Sequence, residues 1–488
     1  MPNPLFDALI APHNSKAELF ATLPDGKTAS YAEFIAVVGR AAHVLDQAGL
    51  KPGDRLILRV EKSVEAVAIY AACMARGVIF VPLNTAYTAP EVAYFLSDAT
   101  PRLIVCDPIA AETIDAGDAV VFTLTATGEG SFAEAMQDAP DDLIPMDRAP
   151  DDLAAFLYTS GTTGRSKGAM LTHENLLSNA RALVDVWRIT EADTLLHALP
   201  IFHAHGLFVA INTTLLAGCA LIFLPKFDVS EVLRHLPRAT TMMGVPTYYT
   251  RLLAEDRFTR ETAAHMRLFI SGSAPLLTET QARFGDRTGH RILERYGMTE
   301  TGMNSSNPYE GERRAGTVGL PLPGTEIRVM ADPGKIGMIE VRGPNVFKGY
   351  WQMPDKTAEE LSKDGWFTTG DLGQFDADGY LTIVGRDKDL VITGGYNVYP
   401  KEVEDVLDRV PGVVESAVIG VPHPDFGEGV VAVLAGEPDH DTVRAAARQN
   451  LADYKCPKRL FTVAELPRNT MGKVQKAALR ETYKDAFS

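Results

Sequence analysis

Tyr158-Thr159-Ser160-Gly161-Thr162-Thr163-Gly164-Arg165-Ser166-Lys167-Gly168 is the stretch from which the rest of the chain is read. An apolar run, residues 153–157, leads into it. Glycines let a backbone turn its N–H groups toward an anion with no Cβ in the way. Hydroxyl groups add donors, and Lys167 adds a mobile positive charge. A loop gripping a nucleotide polyphosphate needs this composition. It is not a Walker A loop, which ends in Gly-Lys-Ser/Thr; here Lys167 follows Ser166 and precedes Gly168. Taken alone, such a cluster also describes a solvated surface loop.

At 488 residues the chain is long enough for about three domains or one large multi-lobed body. With 46% hydrophobic and 23% charged residues, its composition is that of a globular protein. A net charge of −16 argues against nucleic acid or an anionic membrane as a bulk partner. A phosphate site in such a chain requires local donors and a divalent metal. Cys73, Cys106, Cys219 and Cys456 form no CxxC motif, which excludes a cysteine-based zinc site and suggests a reducing compartment. Residues 1–7 carry no basic leader, so the expected location is cytoplasmic. Residues 204–224 lack charge, but His205, Asn212, Thr213 and Thr214 interrupt them and Gly218 divides them. They read as a buried helix followed by a short strand, not a membrane span.

Strand-like and helix-like patterns alternate through the first third: 55–60, 62–76, 78–82, 91–98 and 102–107. Alternation of this kind indicates α/β layers with largely parallel strands. Thr172 is expected to cap a helix running to about Trp187, with Glu174 in its first turn. Strands follow at 194–198, 241–245, 268–271 and 292–295. From Gly316 the texture becomes short β-segments with Gly/Pro turns, at 327–330, 338–342 and 380–384. A compact α/β segment closes the chain, with a helix opening at Pro400. The fold class is therefore α/β: a large N-terminal domain of layered α/β subdomains with a small β-barrel-like subdomain, then a small α/β C-terminal domain. The boundaries read as 1–385, a hinge at 386–389, and 390–488.

Further phrases recur in series: Tyr296-Gly297-Met298-Thr299-Glu300, Thr369-Gly370-Asp371, Gly385-Arg386, Gly394-Gly395-Tyr396-Asn397 and Pro467-Arg468-Asn469-Thr470-Met471-Gly472-Lys473. Together with the 159–167 loop, their order and spacing resemble the acyl-adenylate-forming superfamily across essentially the whole chain. Acyl- and aryl-CoA synthetases, peptide-synthetase adenylation domains and luciferases make up that superfamily. The resemblance implies two half-reactions. A carboxylate attacks the α-phosphorus of MgATP, giving an acyl-adenylate and pyrophosphate; the thiol of coenzyme A then takes the acyl group and releases AMP.

Site residues follow from the same resemblance. Thr159, Ser160, Gly161, Thr162, Thr163, Gly164 and Lys167 would hold the β- and γ-phosphates. Glu300 would ligate Mg²⁺ alongside phosphate oxygens, a usual magnesium arrangement, and Thr299 would reach the α-phosphate. Gly272, Ser273, Ala274 and Pro275 would form a flat face for adenine, with Tyr296 stacking opposite and Arg295, Gly297 and Met298 nearby. Asp371 would accept from the ribose hydroxyls, as carboxylates do with vicinal diols, and Arg386 would lie near ribose and phosphates. Lys473 would bridge the attacking carboxylate and the α-phosphate, offsetting the repulsion of two anions. In the family the small domain is mobile. It rotates about a hinge position occupied here by Lys388 and replaces the lysine with the Gly394, Gly395, Tyr396 loop, which lines a thiol tunnel. Acetylation of Lys473 by a lysine acetyltransferase would remove its charge and stop the first step.

The acid is read from thinner signals. Thr247 and Arg251 lie one helical turn apart, and an inward Arg251 could fork onto a second carboxylate. Arg251, the phrase 202–206 and the phrase 271–275 are similar to the malonyl-CoA synthetases. The resemblance implies that Arg251 pairs with the distal carboxylate of malonate or methylmalonate. His205 and Ser271 would line a short pocket, His203 would gate it and Met298 would end it. Arg251 on a solvated helix face is the plainer alternative. Other short or aromatic acids, loading of a carrier protein in trans and luciferase-type oxidation stay open.

Overall fold

The computed structural model describes residues 2–159, 166–469 and 472–487. The predicted nucleotide-loop residues Ser160, Gly161, Thr162, Thr163 and Gly164, and Thr470 and Met471 of the C-terminal phrase, lie outside these. Two compact units make up the chain: residues 1–326 with 341–367, and residues 327–340 with 368–488. The 386–389 run lies within the second unit, where the 3₁₀ turn Asp387–Asp389 follows the strand Leu381–Arg386.

The first unit holds two large sheets, of nine and six strands. At the centre of the larger sheet, Ala220–Phe223, Thr194–His197, Thr241–Gly244, Leu268–Ser271 and Leu293–Met298 run parallel in that spatial order. Most of these strands are buried along their length, which is why they read as continuous apolar runs and not as alternating patterns. In the smaller sheet, Arg55–Arg59, Ile79–Pro82 and Leu103–Cys106 are parallel neighbours. Leu153–Thr159 and Lys167–Thr172 close its edge as an antiparallel pair in which Thr159 opposes Lys167. Thr172 then caps His173–Trp187: its hydroxyl accepts from the Asn175 N–H at 3.1 Å while the Asn175 side chain accepts from the Thr172 N–H at 2.9 Å.

The uncharged 204–224 stretch folds as a buried helical piece and a strand, with one feature that periodicity did not reveal. His205–Ile211 is a π-helix, with the Val209 N–H donating to the Ala204 carbonyl, and it continues into the α-helix Asn212–Ala217. Gly218, at φ +70°, ends that helix, and Ala220–Phe223 is the strand. Among the described residues no helix is long and apolar enough to cross a membrane.

In the second unit, Glu326–Met330, Gly337–Arg342, Phe367–Phe375 and Leu381–Arg386 form a four-stranded sheet in chain order. The strand Phe367–Phe375 escaped sequence reading because Gly370, at φ +72°, and Asp371 interrupt its β pattern. A separate five-stranded sheet is centred on Gly427–Gly436, which pairs with Val413–His423 along ten residues. Pro400–Leu407 packs on it through Val403 and Leu407. Just beyond this helix, burial pushes the Asp408 carboxyl up to about 7, against a 2.7 Å hydrogen bond from the Ser416 hydroxyl and the nearby Lys401 cation. A folded pKa above the unfolded one means that ionisation opposes folding, so this contribution is lost as pH rises through about 7. Asp408→Asn is therefore expected to stabilise the unit by about 2 kcal/mol above pH 7 and by almost nothing at pH 4. Urea unfolding across that range, followed by a probe in this unit, checks it.

Candidate functional site

Parallel sheets bind ligands beyond the carboxyl ends of their strands, and the larger sheet gathers polar groups there. Ser271 ends its strand opposite Gly244 and Glu294, fully buried, its hydroxyl without a partner among the described residues. Arg295 lies on the next strand, 3% exposed, and its Nε and Nη2 lack partners among the described residues. Burial lowers its pKa to about 10, only partly opposed by Tyr249 and Glu294. Gly272 makes room for this guanidinium, because a Cβ there would stand 2.4 Å from Arg295 Cζ.

His205 opens the π-helix. Its Nδ1 lies 3.2 Å from the Ser273 hydroxyl and its buried Nε2 has no partner among the described residues. Burial, followed by the Arg295 charge, holds its pKa well below the usual histidine range. A neutral ring whose Nδ1 accepts from Ser273 carries its proton on Nε2 and presents a donor there. Ser273 is held at φ +72°, a conformation that serine seldom adopts. A buried guanidinium with two open nitrogens, accompanied by an imidazole nitrogen and a hydroxyl that also lack partners among the described residues, suits an anion. The chemistry suited to that set is a carboxylate.

A second cluster starts at the edge hairpin of the smaller sheet. Lys167 is 7% exposed, its Nζ 3.2 Å from Glu360 Oε1 and 4.0 Å from the Tyr350 ring centre. The Tyr350 hydroxyl lies 2.6 Å from Glu360 Oε2 and 3.2 Å from Glu300 Oε1. Burial raises the Tyr350 pKa, and the two carboxylates raise it further. Burial also raises Glu360, but Tyr350, Lys356 and Lys167 outweigh it and leave that carboxyl below its ordinary range. Lys167 and Glu300, far apart in sequence, thus belong to one network, and Tyr350 and Glu360 are members that no motif signalled. Among the described residues no three His, Cys, Asp or Glu side chains cluster as metal ligands. His203 stacks on Phe202. A hard divalent ion fits Glu300, a buried carboxylate with oxygen donors only, if substrate oxygens complete its shell. Thr299 lies beside Glu300 and shares a small cavity with Ala204 and Phe208. Tyr296 and Met298 are half-buried on the Arg295 strand, and Gly297 sits where a Cβ would be 2.2 Å from the Gly302 carbonyl.

In the second unit, Asp371 and Arg386 are cross-strand partners joined at 2.9 Å, with Asp371 only 3% exposed. Partial burial and the Arg386 charge hold Lys388 below the ordinary lysine range. Gly394 and Gly395, at φ +56° and +82°, turn the hairpin between Val391–Thr393 and Tyr396–Val398. Tyr396 stacks on Tyr454 at 4.8 Å. Lys473 is exposed on a tight turn. Its N–H donates to Asn469 Oδ1 at 3.0 Å, and its carbonyl accepts from the Asn469 N–H at 2.9 Å. Arg468 ties this turn down, donating to the Gly472 carbonyl at 2.6 Å while paired with Glu415.

Arg251 is exposed on the helix Pro246–Leu253, and its charge is felt at Tyr248. The guanidinium that burial and electrostatics place with His205 is that of Arg295. A helical period places Thr247 and Arg251 on one face but does not say which way that face looks. Arg295 adjoins the 296–300 phrase, and its burial on a parallel strand is a tertiary fact.

A model of AMP-binding enzymes matches residues 8–351, and a model of the AMP-binding enzyme C-terminal domain matches residues 402–473. Malonate–CoA ligase of Arabidopsis thaliana is 34% identical over 98% of this chain and 88% of its own length. Feruloyl-CoA synthase of an Amycolatopsis species is 36% identical over 98% of both chains. The crystal structure of ATP-bound MatB from Rhodopseudomonas palustris matches with a TM-score of 0.97 at 54% identity, covering 100% of both chains.

Proposed function

The chain belongs to the AMP-binding enzyme family, and from that premise we propose that it is an AMP-forming acid–CoA ligase whose favoured acid is malonate, with methylmalonate also accepted. The observation that carries the choice of acid is Arg295, a buried guanidinium with two nitrogens that, like His205 Nε2 and Ser271 Oγ, lack partners among the described residues. A diacid leaves one carboxylate to react and gives this group the other. A monocarboxylate or an aromatic acid would leave the cation buried and unpaired, at a cost of several kcal/mol. The 36% identity to a feruloyl-CoA synthase favours an aromatic acid as the second reading, but that reading gives Arg295 no partner.

In this scheme Arg295, His205 and Ser271 hold the distal carboxylate, and Met298 and His203 bound the pocket. The proximal carboxylate attacks the α-phosphorus of ATP and pyrophosphate leaves. Lys167 and the 159–164 loop carry the β- and γ-phosphates, Thr299 donates to the α-phosphate, and Glu300 would hold Mg²⁺, which when bound neutralises phosphate charge. Lys473 offsets the negative charge shared by the attacking carboxylate and the α-phosphate. Gly272 to Pro275 and Tyr296 flank adenine, and Asp371, oriented by Arg386, accepts from the ribose hydroxyls. Coenzyme A thiol, entering past Gly394, Gly395 and Tyr396, then attacks the acyl carbon and AMP departs; Lys388 serves as the hinge between the two steps. Acylation of Lys473 by an acetyltransferase would silence the first step alone.

Pyrophosphate release across malonate, methylmalonate, succinate, acetate and benzoate, with and without coenzyme A, tests the reading. Malonate is expected to exceed acetate and benzoate by at least about 100-fold in kcat/KM. Equal turnover of benzoate would transfer the assignment to the aromatic-acid reading.

A further inference from the structure

Lys62 is a buried lysine outside every motif discussed above. It follows the strand Arg55–Arg59, its ammonium lies 4.3 Å from the Phe223 ring centre, and among the described residues no carboxylate pairs with it. Its Nζ lies 2.6 Å from His197 Nδ1, 2.8 Å from the His197 carbonyl and 2.6 Å from the Leu224 carbonyl. His197 Nε2 lies 2.8 Å from the Gly206 carbonyl, which can only accept, so the ring proton sits on Nε2. Burial, followed by the Lys62 charge, keeps this ring neutral, and its bare Nδ1 accepts from Lys62. Burial pulls the Lys62 pKa well below the lysine range, while three acceptors around Nζ favour the ammonium.

Gly206 adjoins His205 in the first turn of the π-helix. The backbone there has no slack, since a Cβ on Gly206 would fall 1.9 Å from the Pro200 carbonyl oxygen. A chain of donors and acceptors therefore runs from Lys62 through His197 to the Gly206–Leu207 peptide, one Cα beyond His205. At its end, Ser273 occupies His205 Nδ1 and leaves Nε2 available. π-Helical turns are held in place by such local constraints and occur often at functional sites.

We propose that Lys62 is a positioning residue for acid selection, which fixes the His197 tautomer and through the Gly206 carbonyl sets the His205 ring against the distal carboxylate. This inference rests on the acid site proposed above. It predicts that specificity depends on a side chain that never touches the acid, as outer hydrogen-bond partners orient the groups that do.

Lys62→Met and His197→Asn test it, the second leaving an oxygen to accept from Lys62 but nothing to reach Gly206. Each is expected to raise the KM for malonate by about 10–100-fold, with kcat, the KM for ATP and turnover of propionate changed by less than about threefold. Parallel losses with malonate and propionate, or a rise in the ATP KM, would overturn the proposal. Thermal unfolding of both variants shows whether either has lost its fold, and the other then carries the test. Nitrogen-15 shifts of His197 give a readout independent of the acid: wild type should show Nε2–H with a bare Nδ1, and Lys62→Met a mixture. A wild-type His197 protonated on Nδ1 would sink the relay. A wild type that turns over propionate as well as malonate, with the tautomer as expected, would instead sink the acid reading.

Discussion

Lys473→Ala should abolish the first half-reaction and spare the second. With malonate and ATP, pyrophosphate release is expected to fall by about 10²–10³-fold, the usual loss on removing one charge-stabilising donor from a reacting centre. Thiolysis of synthetic malonyl-adenylate by coenzyme A should stay within about threefold of wild type. The asymmetry has a chemical origin. In the first step a carboxylate must approach a phosphate while both are anionic, and an ammonium is the cheapest way to hold them together. In the second the acceptor is a mixed anhydride carbon, and the phosphate is leaving. Backbone and side-chain bonds of Asn469 and Arg468 hold the backbone at Gly472 and Lys473, so alanine should leave that backbone in place. Equal loss of both steps would remove Lys473 from its assigned role.

Legibility in the sequence followed the range of the interactions. The Thr172 cap, the Gly218 break and the Pro400 helix start depend on neighbours a few residues away, and the structure has them where the residues put them. Parallel strands such as Leu103–Cys106 and Leu268–Ser271 were legible because burial on both faces leaves an uninterrupted apolar run. Motif phrases rich in glycine were legible as a family resemblance because their residues are close in sequence. Tyr350 and Glu360 were not, although Tyr350 joins Glu360 to Glu300; a tyrosine and a glutamate in ordinary surroundings carry no sequence signature. The same limit hides the burial of Arg295. Two arginines look alike in one dimension, and only strand order buries one beside His205 while the other stays in water.

The buried guanidinium sets the second large effect. Arg295→Met should lower kcat/KM for malonate by about 10²–10³-fold, the loss expected when a buried charge-assisted pair forfeits one partner. Arg251→Ala should change it by less than about threefold, because an exposed guanidinium is screened and already solvated. Acetate supplies the control: it gains nothing from Arg295, so its turnover should hold or rise in Arg295→Met. Stability moves the other way. Without substrate the wild-type protein holds a cation with two unpartnered nitrogens in its interior, and replacing it with an apolar side chain of similar length should raise the melting temperature of the ligand-free protein. Malonate should stabilise wild type by mass action and leave Arg295→Met unmoved. If Arg251→Ala proved the damaging change, with Arg295→Met retaining malonate selectivity, the acid would have to bind along the helix Pro246–Leu253 and the pocket built on Ser271 and His205 would lose its purpose.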